Sequence, residues 1–259
     1  MIMQCKDYSS SKVVYPVYGQ VKMNGIFGRW NPEEACFFTR SNERIRGLSK
    51  LVSEVQGQDS FDCELVIPGI DFFTMNGLIR SFNETPACVA YVFDLPLPRV
   101  TTGVRLSEYT KRFTNPQLPH VVPLKYHCLK NRAEVDTFYD KVLKAGHEGI
   151  VIKTISANYY DGKKYFVQKR VPMFTTECVI LDIIEGRKGF VGMMGAFLVA
   201  FNDTTLKVGM GQGVDFLYRE HVWENKEKFI GKTLKVGYKS ITPQGSLQSP
   251  KILGVRWDI

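Results

Sequence analysis

The 259-residue chain predicts an α+β fold followed by a smaller domain made almost entirely of strands, on three observations. Short β-branched and aromatic runs bounded by Gly and Pro recur through residues 1–173. Helical stretches lie among them without the strict alternation of a parallel βαβ sheet. From about residue 174, five strand-like runs follow with a single helical stretch. Hydrophobic residues make up 44% of the chain, enough for a sizeable core.

In order, the strand signals are VVYPVYGQVK (13–22), ACFFTR (35–40), FDCELVIPG (61–69), CVAYVFDLP (88–96), GIVIKTI (149–155) and KKYFVQKRV (163–171). Helices are expected at GLSKLVSEV (47–55), DFFTMNGLIRSF (71–82), LSEYTKRF (106–113) and AEVDTFYDKVLKAG (133–146). The last puts Val135, Phe138, Val142 and Leu143 on one face and stops at Gly146. A boundary falls near VPMFTT, dividing the chain into residues 1–173 and 174–259. The second part reads as strands at 176–186, 195–203, 204–211, 232–241 and 253–259, with a helix at 215–231 before the fourth. That pattern is what an OB-type barrel needs, and an SH3-like barrel reads almost the same.

Thirty-four Lys and Arg against 26 Asp and Glu give a formal charge of +8 and a pI near 9.1. Such a balance fits a polyanionic partner, whether nucleic acid, an anionic membrane or nucleotide phosphates, and equally an ordinary solubilising surface. Cys5, Cys36, Cys63, Cys88, Cys128 and Cys178 are scattered without a CxxC pair, and the four histidines do not cluster beside them. Neither a zinc site nor a disulfide framework is expected, and reduced thiols point to a cytoplasmic compartment. No run approaches the about 18 apolar residues of a membrane span, and the start of the chain has no signal-peptide core.

The candidate chemistry begins at VKMNG (21–25), where Lys22 is either a surface lysine before a hairpin or a nucleophile. A lysine amine, with an ordinary pKa of about 10.4, becomes nucleophilic near neutrality only when burial or nearby cations favour its neutral form. Downstream stand Arg40 in FTRSN, Glu64 in FDCELV, Phe93 in YVFD, Glu148 in GHEGIVIK, Lys169 in FVQKR and Arg256 in VRWD. Each is a charged or aromatic residue beside an apolar run. In order, interval and local context these blocks resemble the covalent nucleotidyltransferase superfamily, and within it the ATP-dependent DNA ligases, from Gln20 to Asp258. EGIVIK is the most specific block.

The resemblance implies a nucleotidyltransferase domain, ATP-grasp-like in its antiparallel sheets with flanking helices, followed by an OB-fold domain. It implies that Lys22 takes AMP from ATP, that Gln20 accepts a hydrogen bond from the adenine amino group, and that Phe93 stacks on the base. Glu64 would hold a ribose hydroxyl or a metal-bound water, and Glu148 would be the main ligand of Mg²⁺. Arg40, Lys153 and Lys169 would neutralise the phosphates. Arg256 and Asp258 match the terminal Arg-x-Asp core, and Lys232, Lys235, Lys239 and Lys251 join Arg256 in a basic set suited to phosphates. The implied enzyme is a minimal monomer of the kind bacteriophages and other viruses encode, working in the host cytoplasm on nicked duplex DNA. It would lack the helical DNA-binding domain of larger relatives. An RNA ligase, a GTP-dependent capping guanylyltransferase and a non-catalytic nucleic-acid-binding relative are the alternatives.

Four positions depart from the common pattern. Asn24 stands where Asp is usual, Phe27 where an arginine is, with Arg29 near enough to substitute if the register allows, Val167 where a second lysine pairs with Lys169, and Ile259 where a lysine ends the terminal motif. His120, His127, His147 and His221 gain no role, and Trp223 and Trp257 are expected to pack the barrel.

Overall fold

The computed structural model describes residues 2–81, 83–85, 87–114, 117–211 and 213–257. They form two compact units, Met1–Val171 and Pro172–Ile259.

The first unit contains two sheets. One has five strands in the order Met3–Asp7, Gly162–Arg170, Gly149–Thr154, Val17–Lys22 and Tyr126–Leu129. The other has six, in the order Arg44–Ile45, Cys36–Phe38, Ile26–Asn31, Asp62–Val66, Val89–Asp94 and Val121–Pro123. Every strand signal of the first part of the sequence lies on a strand. The structure adds several that the sequence reading did not anticipate. Met3–Asp7 is a polar edge strand that pairs in parallel with Gly162–Arg170, and so distant a partner leaves no local signal.

The segment after Lys22 is not a hairpin. Val17–Lys22 belongs to the first sheet and Ile26–Asn31 to the second, so Met23, Asn24 and Gly25 carry the chain from one to the other. Gly25 is required by the close passage of the next strand: a Cβ there would lie 2.5 Å from the Leu65 carbonyl oxygen and 2.7 Å from Glu64 Cγ. Gly25→Ala should therefore lower stability by about 1–3 kcal/mol, the usual cost of overpacking, read as a shift in the denaturant midpoint.

The helix Arg132–Lys144 buries Val135 and Val142 against Val17, Leu129, Ile150 and Ile152 of the first sheet. Asn131 caps it, accepting from the Glu134 N–H. The second sheet is covered by Ser49–Val55, Phe72–Arg80 and Thr102–Phe113, which enclose a core that includes Trp30, Phe37, Phe61, Leu65, Met75 and Phe113. The third helix begins four residues before the LSEYTKRF signal. Its first turn, TGVR, begins with the weak helix formers Thr102, Gly103 and Val104, and tertiary packing of Thr102 and Arg105 decides the matter.

In the second unit the sheet order is Thr204–Val208, Met194–Phe201, Phe174–Glu185, Thr233–Tyr238 and Lys251–Arg256. The expected helix is two helices, Phe216–Glu224 and Lys226–Phe229, interrupted at Asn225, whose backbone leaves helical geometry. Beyond the end of Thr204–Val208, Gly211 forms an isolated parallel bridge to Ile252 of the opposite edge strand, where the Ile252 N–H donates to the Met210 carbonyl. Trp223 packs on the core. Trp257 is more than half exposed, lying edge-on to Phe229, so it is not interior packing. No helix among the described residues is long and apolar enough to cross a membrane.

Candidate active site

Both sheets of the first unit contribute. Lys22 ends Val17–Lys22 directly opposite Gly149, so the residue before Gly149 is brought alongside it. Lys22 Nζ donates to Glu148 Oε2 at 2.7 Å, and both side chains keep about a fifth of their surface. Two residues back along the strand, Gln20 points the same way, as strand periodicity requires, and is 1% exposed. Its Nε2 donates to the Tyr109 hydroxyl at 2.6 Å and, at 3.5 Å, to the Phe93 carbonyl. Its Oε1 is buried and has no hydrogen-bond partner among the described residues.

Glu64 comes from the second sheet, where it pairs with Phe27 and Tyr91. Burial pushes its carboxyl up to about 7, against the pull of the Lys22 and Arg40 cations, while Glu148 adds to the push and the Gly25 N–H opposes it. These opposing influences place Lys22, Arg40 and Glu148 within electrostatic reach of Glu64. The sign for stability follows from the raised value. The unfolded chain ionises Glu64 near its ordinary 4.5, so between about pH 4.5 and 7 the folded state holds the extra proton and stability falls as pH rises. Glu64→Gln should flatten that part of the stability profile relative to wild type, measured as Tm against pH.

Phe27, standing where an arginine was expected, is buried between two site residues. Its ring lies 6.2 Å from that of Phe93, and the Arg40 guanidinium sits 5.1 Å from its centroid. Arg29 faces the same side of the strand but does not replace the missing arginine. It is engaged with Asp62 through Nε at 2.7 Å and Nη2 at 2.9 Å, and with the Tyr159 hydroxyl.

Lys153 is placed differently from a solvated phosphate contact. It is 2% exposed, and its Nζ donates to the Phe93 carbonyl at 2.6 Å and to Asp94 Oδ2 at 3.0 Å, 5.2 Å from the Phe93 ring. Arg105 Nε, from the helix Thr102–Phe113, donates to the other Asp94 oxygen at 2.7 Å. Burial alone would raise the Asp94 carboxyl, but Lys153 and Arg105 outweigh it and hold it below the usual range; burial likewise lowers Lys153. The three side chains join the two sheets and a helix through a buried ionic cluster.

Lys169 lies opposite Val151, with Asp7 Oδ1 at 3.4 Å from its Nζ. Val167 is buried opposite Lys153 and serves as packing where a second lysine was expected. Asn24 is exposed on the crossing segment. Cys5, grouped in the sequence with inert thiols, lies within electrostatic reach of Lys153, Lys22, Arg40 and Lys169, and burial pushes its thiol up. Arg256, in the second unit, donates to Glu177 at 2.9 Å. Asp258 and Ile259 lie outside the described residues. The site residues missed by sequence reasoning are Cys5, Asp94, Arg105 and Tyr109.

A lysine at the exit of one sheet is thus faced by two carboxylates, with Gln20, two residues back on the same strand, set against Phe93 and carrying an unmatched amide oxygen. No family model matches the chain. A DNA ligase of Methanopyrus kandleri is 34% identical over 90 residues, which are 32% of this chain and only 16% of that protein, so the chain spans about a sixth of that relative. Among solved structures, a Lig E DNA ligase described as binding DNA with a minimal scaffold superposes with a TM-score of 0.80 at 20% identity, covering 98% of both chains. The Chlorella virus DNA ligase-adenylate gives 0.60 at 21% identity, covering 99% of this chain and 98% of that one. The ATP-dependent DNA ligase of bacteriophage T7, in complex with ATP, gives 0.57 at 16% identity, covering 98% of each. The fold of this protein is that of the ATP-dependent DNA ligases.

Proposed function

We propose that the protein is an ATP-dependent DNA ligase that seals 5′-phosphate/3′-hydroxyl nicks. The observation that carries this reading is the placement of Lys22 against Glu148, within reach of Glu64 and Arg40, at the crossing between the two sheets. Residues 1–173 act as the adenylation domain. The second unit acts as an OB barrel, a reading supported by its five-strand order and by the parallel Gly211–Ile252 bridge between its outer strands.

In the first step the Lys22 amine, having lost a proton, attacks the α-phosphorus of ATP. The bond to the β-phosphate oxygen breaks and pyrophosphate leaves. AMP then passes from Lys22 to an oxygen of the DNA 5′-phosphate, releasing the amine. The 3′-hydroxyl finally attacks that 5′-phosphorus, AMP leaves and the phosphodiester forms. Phe93 stacks on the base, and Gln20 Oε1, the unpartnered acceptor, receives the adenine amino group. Arg40 and Lys169 meet the phosphates, whereas Lys153, held by Asp94, contributes its charge from beneath.

The carboxylates of Glu64 and Glu148 fit a hard divalent cation, Mg²⁺ being the natural one, since it binds through one or two carboxylates and completes its shell with phosphates and water. Such an ion supplies neutralisation of phosphate charge. The protein would act as a monomer, gripping nicked duplex through basic surfaces that include Lys235 and Lys251, and its affinity should fall steeply with salt.

Incubation with ATP labelled at the α-phosphate tests the reading. An acid-labile protein adduct is expected, absent in Lys22→Ala. No adduct, or an undiminished one in the variant, rules the reading out, and preferential labelling from GTP redirects it to a capping-type enzyme.

A further inference from the structure

Gln20 could present either its carbonyl oxygen or its amino group to a bound base, and side-chain rotation by a half turn exchanges the two. The structure contains a device that settles which. Tyr109 is fully buried in the helix Thr102–Phe113, and its hydroxyl lies 2.5 Å from the Leu124 carbonyl oxygen. A carbonyl cannot donate, so the single phenolic proton is committed to Leu124. The atom of Gln20 that lies 2.6 Å from the same hydroxyl must then be a donor, which makes it Nε2. Reversing the amide would set two acceptor oxygens against each other at that distance. The second Nε2 hydrogen is directed to the Phe93 carbonyl, already anchored by Lys153. With both hydrogens assigned, Oε1 is left as a buried acceptor without a donor. A buried acceptor in this state costs free energy until a ligand supplies a proton. Burial also keeps the Tyr109 phenol protonated far above neutrality, so the arrangement does not switch with pH.

We infer that Tyr109 is the specificity-determining residue of the nucleotide site, locking the Gln20 amide so that only a purine with a 6-amino donor is matched and a 6-oxo purine meets acceptor against acceptor. This inference rests on the nucleotide reading above. Tyr109 touches neither the base nor the phosphates in this scheme; it is a positioning residue that acts through Gln20. The Tyr109→Phe variant keeps the ring and its packing while removing the proton account. The amide is then held only by the 3.5 Å contact to Phe93 and can turn to offer Nε2 to a 6-oxo group.

The test compares labelling of Lys22 by three α-labelled triphosphates: ATP, inosine triphosphate with a 6-oxo group, and purine-riboside triphosphate with hydrogen at that position. Wild type should favour ATP over inosine triphosphate by roughly 10- to 100-fold in kcat/KM, with the unsubstituted purine between them. Tyr109→Phe should bring ATP and inosine triphosphate to within about threefold of each other in kcat/KM, chiefly through KM. A merely structural defect would depress all three substrates together and leave their ratios alone. Selectivity retained in a folded Tyr109→Phe protein overturns the inference while the nucleotide reading stands. So does a wild type that takes ATP and inosine triphosphate equally, a result available even if the variant does not fold. Absence of labelling from every triphosphate instead overturns the nucleotide reading, and this inference with it.

Discussion

Asp94→Asn should reduce the unfolding free energy of the protein by about 3–5 kcal/mol, the cost of breaking a buried ion pair from one side. Asparagine preserves the shape but removes the negative charge that pairs with both Lys153 Nζ and Arg105 Nε, two cations with almost no solvent of their own. The loss should depend on pH in a defined direction. Lys153 is already lowered by burial and raised by Asp94; without the anion it drops further. The unfolded chain then binds more protons than the folded one over a wider range up to about 10.4, and stability rises with pH in that window. The deficit of Asp94→Asn relative to wild type should therefore shrink between neutral pH and pH 10. Lys153→Met added to Asp94→Asn should recover part of the loss, since one of the stranded cations is gone, and a strictly additive double variant would contradict the account. Chemical denaturation across pH measures all three.

The second large effect is on activity. Glu148→Gln should cut the rate of Lys22 labelling by roughly 100-fold or more, on the scale of losing a group that acts on the reacting centre. Glu148 holds the Lys22 amine at 2.7 Å and, in the proposed reading, would be the main ligand of Mg²⁺, so the variant should lose orientation and cation together. Nucleotide binding measured without turnover should change far less, because Gln20 and Phe93 are untouched. Raising the Mg²⁺ concentration should restore part of the rate; no change in rate at all would remove Glu148 from the site. Asn24→Asp provides a contrasting gain. Asn24 is exposed two residues beyond Lys22, and on the proposed reading a carboxylate there should speed the later, DNA-dependent steps more than lysine labelling, as single-turnover sealing of a nick would show.

What the sequence reveals about this site follows the reach of the interactions. Lys22, Glu148 and Lys169 are legible because each stands beside an apolar run that becomes a strand of the same sheet, so order along the chain translates into proximity across it. The helices and the strongly apolar strands of both units are legible for the same local reason, whereas edge strands such as Met3–Asp7, paired only to a distant segment, are not. Asp94, Arg105 and Tyr109 are not, because their roles arise from partners far away in sequence: Asp94 from Lys153 and Tyr109 from Gln20. Lys153 is the instructive case. A lysine in a motif is naturally assigned to solvent and phosphate, yet the register that sets it opposite Tyr18 and Val167 turns its amine inward onto Asp94. The crossing after Lys22 was hidden by its own turn signal, since Asn-Gly between two β-like runs reads as a hairpin whichever sheets those runs join.

The buried cluster has an outcome for the working cycle. Within that cluster two cations, Lys153 and Arg105, share the one anion Asp94, and Lys153 Nζ lies 5.2 Å from the Phe93 ring with almost no solvent around it. Charges on the surface are muted over about 8 Å at physiological ionic strength, but a sealed charge keeps its field. Capture of the nucleotide should thus persist at salt concentrations that strip the protein from duplex, leaving a population charged with AMP and ready for the next break before it touches DNA.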